Sequence, residues 1–388
     1  MATVRIALFT PFNPSTGGGG IILRSLLPYL RDAEVRWFYL ANAASDLPGT
    51  TRLGPSILGG PFAADGLASV RLYVLRSDAG IDKHVKTILD WSPDVAWVTA
   101  MSEGLLIGTR LRDQGVKRLH VSVHDDPAGL ARKSRRYRSF APFIDRCTRK
   151  LLKRADTVDV VCDAMRSYYS DRLGISSGVV FRYIHELKLL PVDDVEESTV
   201  TIGHVGSAYS APEVFALLNA LRTISRTDGT QFRLINFGVS PAMIAAERAF
   251  PDIVENAGNV AEQEVVRRLQ KCRFLYSMYS FNERHRVFRE TSQPTKMSTY
   301  LMAARPILAH CPKGSSTQDM LSKFQLGLCV TSMDNAEIVR GIRGILSLRL
   351  ELDEVGRAAE YYCGRRNLEY LESCLGLRTP EETVLNRG

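Results

Sequence analysis

Ser292-Gln-Pro-Thr-Lys-Met-Ser-Thr-Tyr-Leu-Met-Ala-Ala-Arg-Pro-Ile-Leu-Ala-His310 reads as a short helix feeding a buried strand. Ser292 and Gln293 stand where a cap belongs, and Pro294 suits the first helical position. Met297, Tyr300, Leu301 and Ala304 then share one face at helical spacing. Pro306 stops the helix and Ile307–His310 supplies an apolar run of strand length. The pattern by itself fits an ordinary amphipathic helix before a core strand. It equally fits a helix whose free N–H groups, with Lys296 in its first turns, form an anion site.

Around this block, strand-like and helix-like stretches alternate, which predicts parallel sheets with crossover helices. Strands are expected near Val4–Phe9, Val35–Leu40, Val70–Leu75, Val95–Thr99, Leu119–His124, Val158–Cys162 and Val179–Tyr183. A second series runs Val200–Val205, Phe232–Phe237, Phe274–Met278, Ile307–His310 and Gly327–Thr331. Helices are expected at Pro212–Ser225, Glu262–Lys271 and Ala336–Leu346. The acidic, aperiodic Pro191–Ser198 segment is the linker candidate. A chain of 388 residues exceeds one typical core. The expected division is residues 1–192, residues 199–359, and a helical tail over 360–388. Ligands of such α/β units bind beyond the carboxyl ends of the strands, so residues that follow strands are the candidates.

Several residues meet that condition. The first strand runs into Pro11–Gly20, whose four glycines, Gly17 to Gly20, either form a flexible loop or let the backbone approach a ligand closely. No GxGxxG with a trailing acid follows, so a dinucleotide site is not supported. His124-Asp-Asp-Pro127 closes the Leu119–Val123 strand. There His124 is either a structural imidazole or a group for a substrate hydroxyl. Asp125 and Asp126 lack the further ligands that a metal site needs. Gly206 and Ser207 end a strand ahead of a helix, the geometry that admits a pyrophosphate. The Phe281–Glu290 loop, with Arg284, Arg286, Arg289 and Glu290, is a solvated connector or a ligand-contacting loop.

The Pro294–Ile307 block resembles retaining glycosyltransferases of the GT-B fold, family 4 in particular. Their pattern runs Pro-x-Lys-x-x-Glu-Tyr-x-x-x-Gly-x-Pro-Val-Ile, and Pro294, Lys296, Tyr300, Pro306 and Ile307 match it. The landmarks Ser92-Pro-Asp-Val95 and Ala155-Asp-Thr-Val158 are similar to segments of the same enzymes. The resemblance implies two Rossmann-like α/β domains with parallel sheets facing a central cleft, and a tail helix that returns to the first domain. It implies sugar transfer from a nucleotide-diphosphate donor to an acceptor hydroxyl, with retention. Lys296, His124 and Asp125 take the catalytic places, and Gly18 and Gly19 the glycine pair after the first strand. Gly206, Ser207, Arg289, Glu290, Ser298 and Thr299 take the substrate-binding ones. The chain departs from the pattern at Thr299, where the family has the Glu that holds the donor ribose. It departs again at Ala304 for Gly, at Thr291 for a second Glu, and at Ser207 for Arg. Those departures keep two other readings open: a catalytically silent GT-B-like binding or scaffold protein, and a sugar-nucleotide epimerase. No cofactor and no obligatory metal are implied.

The net charge of +8 is local, because residues 132–154 carry ten Lys or Arg against the single acid Asp145. Beyond Pro142, Ile144, Cys147 and Leu151 mark one face and Arg146, Arg149, Lys150 and Lys153 the other, predicting an amphipathic helix with a cationic side. That side is a solvated face or a docking surface for anionic lipid. Without aromatic platforms, nucleic acid is not indicated. The remaining partners are a nucleotide-sugar donor and a glycan, lipid-linked or small-molecule acceptor. Seven cysteines without CxxC spacing indicate neither disulfides nor zinc, as in a reduced compartment. With no signal-like or membrane-spanning run, a cytoplasmic protein, peripheral at a membrane, is expected.

Overall fold

The structure, a computed structural model, describes residues 3–56, 70, 79–134, 137–189 and 199–378. The expected Val70–Leu75 strand and Pro191–Ser198 linker lie outside the described residues apart from position 70. The chain divides into two compact units. The first holds residues 1–185, 284–293 and 362–388, and the second residues 186–283 and 294–361.

The first unit carries a seven-stranded sheet in the order β3-β2-β1-β4-β5-β6-β7. Its strands are β1 (Val4–Thr10), β2 (Ala33–Leu40), β3 (Thr50–Gly54), β4 (Val95–Thr99), β5 (Arg118–Val123), β6 (Thr157–Val160) and β7 (Gly178–Val179). All pairs are parallel. Val-Ala-Trp-Val-Thr of β4 is buried at every position, the mark of a parallel strand covered on both faces. Trp97 lies wholly inside and donates its indole N–H to Ser122 Oγ at 2.7 Å.

The second unit repeats the architecture with six parallel strands in the order β10-β9-β8-β11-β12-β13. These are β8 (Thr199–Val205), β9 (Gln231–Phe237), β10 (Val254–Gly258), β11 (Phe274–Met278), β12 (Ile307–His310) and β13 (Gly327–Val330). Helices Ala211–Asp228, Pro241–Ala249 and Asn335–Ser347 close one core with Ile202, Leu217, Leu221, Leu234, Phe274 and Ile342. A Leu→Ala change at such a site costs about 2–5 kcal/mol. In each sheet the strand order reverses once, between β1 and β4 and between β8 and β11. Those are the points where open α/β sheets leave a crevice at their carboxyl ends.

Some expectations need correction. Strands β3 and β10 do not appear in the sequence reading. Both are sheet edges, and an edge strand such as Val-Glu-Asn-Ala-Gly need not be apolar. The strand expected at Val179–Tyr183 is only Gly178–Val179. Arg284–Gln293 belongs to the first unit, although the sequence division places it inside residues 199–359. It holds the helix Arg286–Thr291, which packs on helices Pro127–Lys133 and Asp163–Leu173. Its Thr291 carbonyl accepts from Cys162 Sγ at 3.1 Å.

The tail helix Arg365–Cys374 packs on β6 and β7 of the first unit. Tyr370 Oη accepts from Gly178 N at 2.8 Å and donates to Val158 O at 3.0 Å. A Cβ on Gly178 would lie 2.3 Å from the Tyr370 ring, so only glycine fits beneath it. Every cysteine is free, and all but Cys329 are buried. Among the described residues no helix is long and apolar enough to cross a membrane.

Candidate functional site

Lys296 is the first residue of the helix Lys296–Ala303, whose N-cap is Thr295. The helix begins two residues later than the Pro294 start expected from sequence. Its N–H groups are not open as expected, since Met297 N bonds Pro294 O at 2.9 Å and Ser298 N bonds Thr295 O at 3.1 Å. The tight turn around Pro294 uses up those donors. What the helix presents is the ammonium. Lys296 is only 6% exposed and donates from Nζ to the carbonyl of Ser207 at 2.9 Å. His204 Nε2 lies 3.4 Å from Nζ, and the Tyr209 ring centroid 5.1 Å away. Among the described residues no carboxylate pairs with it. Burial pulls its pKa down to about 7, because removing a charge from water favours the neutral form.

The surrounding frame is tightly specified. Gly206, at φ +75°, turns the chain out of β8 in a conformation that favours glycine, and its N–H bonds Phe237 O at 2.7 Å. Ser207 exposes its side chain while its carbonyl faces Lys296. Tyr209 stacks on Tyr279 with centroids 5.5 Å apart and an interplanar angle of 11°. Tyr300 Oη donates to Tyr276 O at 2.6 Å and accepts from Val205 N at 3.3 Å, tying helix to strand. Two of the expected substrate-binding residues sit on the buried helix itself. Ser298 spends its hydroxyl on Thr295 O at 2.7 Å, and Thr299 is 6% exposed.

The other expected residues lie on the first unit. His124 follows β5 directly and is 7% exposed. Burial lowers its pKa, with Asp159 opposing, so the imidazole is neutral. Among the described residues its Nδ1 has no hydrogen-bond partner. The glycine run is the first turn of the helix Gly17–Leu26, and Thr16 supplies no side-chain cap. A Cβ on Gly19 would sit 3.0 Å from His124 Nδ1 and 2.8 Å from the Phe12 ring. Glycine there lets the helix entry and the imidazole come together; Gly18 precedes it in the same turn. This is the kind of uncapped helix start that accepts an anion or a hydroxyl.

Asp125 and Asp126 separate in role. Asp125 accepts from Ser292 Oγ at 2.5 Å, and burial lifts its pKa to about 6 against that bond and the charge of Lys133. Asp126 caps the helix Pro127–Lys133, accepting from Gly129 N at 2.6 Å, and also binds Tyr169 Oη at 2.8 Å. Arg289 is buried in its helix, whereas Glu290 pairs with Arg286 at 2.9 Å on the surface. Beneath His124 lies a buried polar network the sequence reading passed over. His120 Nε2 and Ser122 Oγ reach Asp159 Oδ2 at 2.7 and 2.6 Å. Burial, the largest single influence, lowers the His120 pKa, but the hydrogen bonds and charges of Asp159 and Cys374 together outweigh it and raise the pKa to about 10. His204 gives no sequence signal either, since a lone His inside an apolar strand leaves no pattern to read.

No protein-family model matches the chain, and no curated protein matches it in sequence. Solved structures do match in fold. A sucrose-phosphate synthase from Thermosynechococcus elongatus superposes with a TM-score of 0.63 at 15% identity, covering 99% of this chain and 98% of that one. A putative UDP-N-acetylglucosamine 2-epimerase from Listeria monocytogenes gives 0.59 at 13% identity, covering 97% and 98%. AviGT4, a glycosyltransferase involved in avilamycin A biosynthesis, gives 0.53 at 14% identity, covering 96% and 97%. The chain therefore has the two-domain α/β architecture of GT-B proteins.

Proposed function

We propose that the protein is a glycosyltransferase that moves a sugar from a nucleotide-diphosphate donor to an acceptor hydroxyl. The observation that carries this reading is the buried Lys296 ammonium, set at the carboxyl end of β8 without a counter-charge among the described residues. A diphosphate supplies the missing negative charge, and a low-dielectric setting strengthens the attraction as charge builds on the leaving phosphate. Gly206 lets the backbone approach the same group. His124 and Asp125 are the proposed positioning groups for the sugar, with Gly18 and Gly19 beside His124. Retention, membership of family 4 and independence of metal rest on the resemblance of the Pro294–Ile307 block. Cationic side chains take the part a metal would play.

The test is a thermal-shift screen against nucleoside diphosphates, since a ligand that binds only the folded state raises the melting temperature. A nucleoside diphosphate is expected to stabilise the wild type, and Lys296→Ala to abolish both that shift and transfer while the protein stays folded. Unchanged turnover in Lys296→Ala would refute the assignment. The absence of Glu at Thr299 and Arg at Ser207 favours the silent-scaffold reading, which predicts neither binding nor donor hydrolysis. The epimerase-like neighbour favours a second enzyme class. Isomerised donor without any acceptor product would establish it.

The helix Ala141–Leu152 buries Ile144, Cys147 and Leu151 and exposes Arg146 and Arg149, with its C-cap Lys153 also exposed and Phe143 37% exposed at its start. We propose that it rests on anionic lipid at a cytoplasmic membrane surface, each basic residue adding about 1 kcal/mol. Equal sedimentation with neutral and anionic vesicles would refute it.

A further inference from the structure

His204 is wholly buried in β8. Its Nδ1 lies 2.9 Å from the carbonyl oxygen of Tyr276. A carbonyl oxygen only accepts, so Nδ1 carries the proton and Nε2 is left with a lone pair. That lone pair lies 3.4 Å from Lys296 Nζ. The Tyr276 carbonyl is itself fixed, since it also accepts from Tyr300 Oη at 2.6 Å, and Tyr300 stands on the same helix as Lys296. Strand β11, strand β8 and the Lys296 helix thus converge on one carbonyl, and through it on one imidazole tautomer.

We infer that His204 is a positioning residue for Lys296: its Nε2 and the Ser207 carbonyl hold two of the three ammonium protons and leave the third for a phosphate oxygen. The inference rests on the reading of Lys296 as the diphosphate-binding cation. It adds that the cation is aimed by neutral acceptors only. A carboxylate in the place of His204 would form a buried ion pair and compete with the ligand. A hydrocarbon would leave the ammonium one acceptor short. Neutral imidazole does neither. The groups facing Lys296 are His204 from β8, the Ser207 carbonyl and Tyr209 from the following turn, and nothing anionic among the described residues. Burial and the Lys296 charge together keep His204 neutral, with a pKa lowered to about 3. Diphosphate binding then draws a proton onto Lys296 wherever part of the population is neutral, coupling donor affinity to pH.

Two substitutions separate the two ring nitrogens. His204→Asn retains a donor for the Tyr276 carbonyl but removes the acceptor at the Nε2 position, whereas His204→Gln retains that acceptor. The first readout needs no ligand: the titration of Lys296, followed by NMR of lysine-labelled protein and assigned by loss of its signal in Lys296→Met. His204→Asn is expected to lower the midpoint by about one pH unit, because an acceptor that favours the ammonium is gone. His204→Gln is expected to stay near the wild type. The second readout is affinity for UDP, GDP and ADP from pH 6 to 9 by calorimetry. His204→Asn is expected to bind the cognate diphosphate about ten-fold more weakly at pH 7.5, the loss of one charge-assisted bond, and His204→Gln within about three-fold of wild type. An unchanged midpoint in His204→Asn, or equal losses in both variants, overturns the inference. Should wild type bind none of the three nucleotides, the functional reading falls, while the midpoint comparison still decides what His204 does to Lys296.

Discussion

The two units bury charge in opposite ways. In the first, His120 and Asp159 lie 2.7 Å apart in full burial, joined by Ser122 and, through it, Trp97. In the second, Lys296 is nearly as deep but, among the described residues, meets only a carbonyl, a neutral imidazole and a tyrosine ring. A compensated pair has no charge left to offer and holds strands together. A lone cation is a standing energetic cost, and a protein keeps such a group where a ligand completes it. Similar folds around the two groups therefore say little; the pairing of the charges is what differs, and it supports the role proposed for Lys296.

The comparison breaks first on stability. Asp159→Ala leaves His120 and Ser122 without their shared buried acceptor and is expected to cost about 3–5 kcal/mol in urea unfolding. If Asp159→Ala instead leaves stability intact, the network is not the clamp described. The second unit should respond the other way. Lys296→Met removes an uncompensated charge, so calorimetry is expected to show stability unchanged or raised by about 1 kcal/mol, even as nucleotide binding disappears. A loss of several kcal/mol would mean that Lys296 is structural.

The pH dependence sharpens the contrast further, since the two groups have opposite signs. His120 has its folded pKa raised to about 10 from 6.5, so its contribution is complete below pH 6.5 and fades as pH climbs through 10. Lys296 has its folded pKa lowered to about 7 from 10.5, so it opposes folding at low pH and relents as pH rises from 7 toward 10.5. In the wild type the slopes offset between pH 7 and 10. In Lys296→Met the His120 term stands alone, and stability is expected to fall across that window by up to about 1.4 kcal/mol per pH unit. A flat profile in that variant would contradict the assignment of charge to His120.

Much of the fold was legible because parallel strands covered on both faces must be apolar along their length. Val95–Thr99 and Phe274–Met278 announce themselves for that reason, while the polar edges Thr50–Gly54 and Val254–Gly258 do not. The site was legible only in part. Lys296, Gly206 and His124 stood out because each follows a turn or strand signal. The placement of Arg286–Thr291 with the first unit could not be read, since its helix is held by packing and by the Thr291 carbonyl, neither of which leaves a periodic trace.

Sequence alone determined that the chain alternates strand and helix in two series and carries a lysine beside a Pro-marked turn, because periodicity and chain-breaking residues are local properties. Only tertiary structure decided that this lysine is buried without a carboxylate partner among the described residues, that His204 presents Nε2 to it, and that Ser298 turns inward. Those facts depend on which groups from distant strands share a few ångströms of low-dielectric space, and spacing along the chain does not encode that.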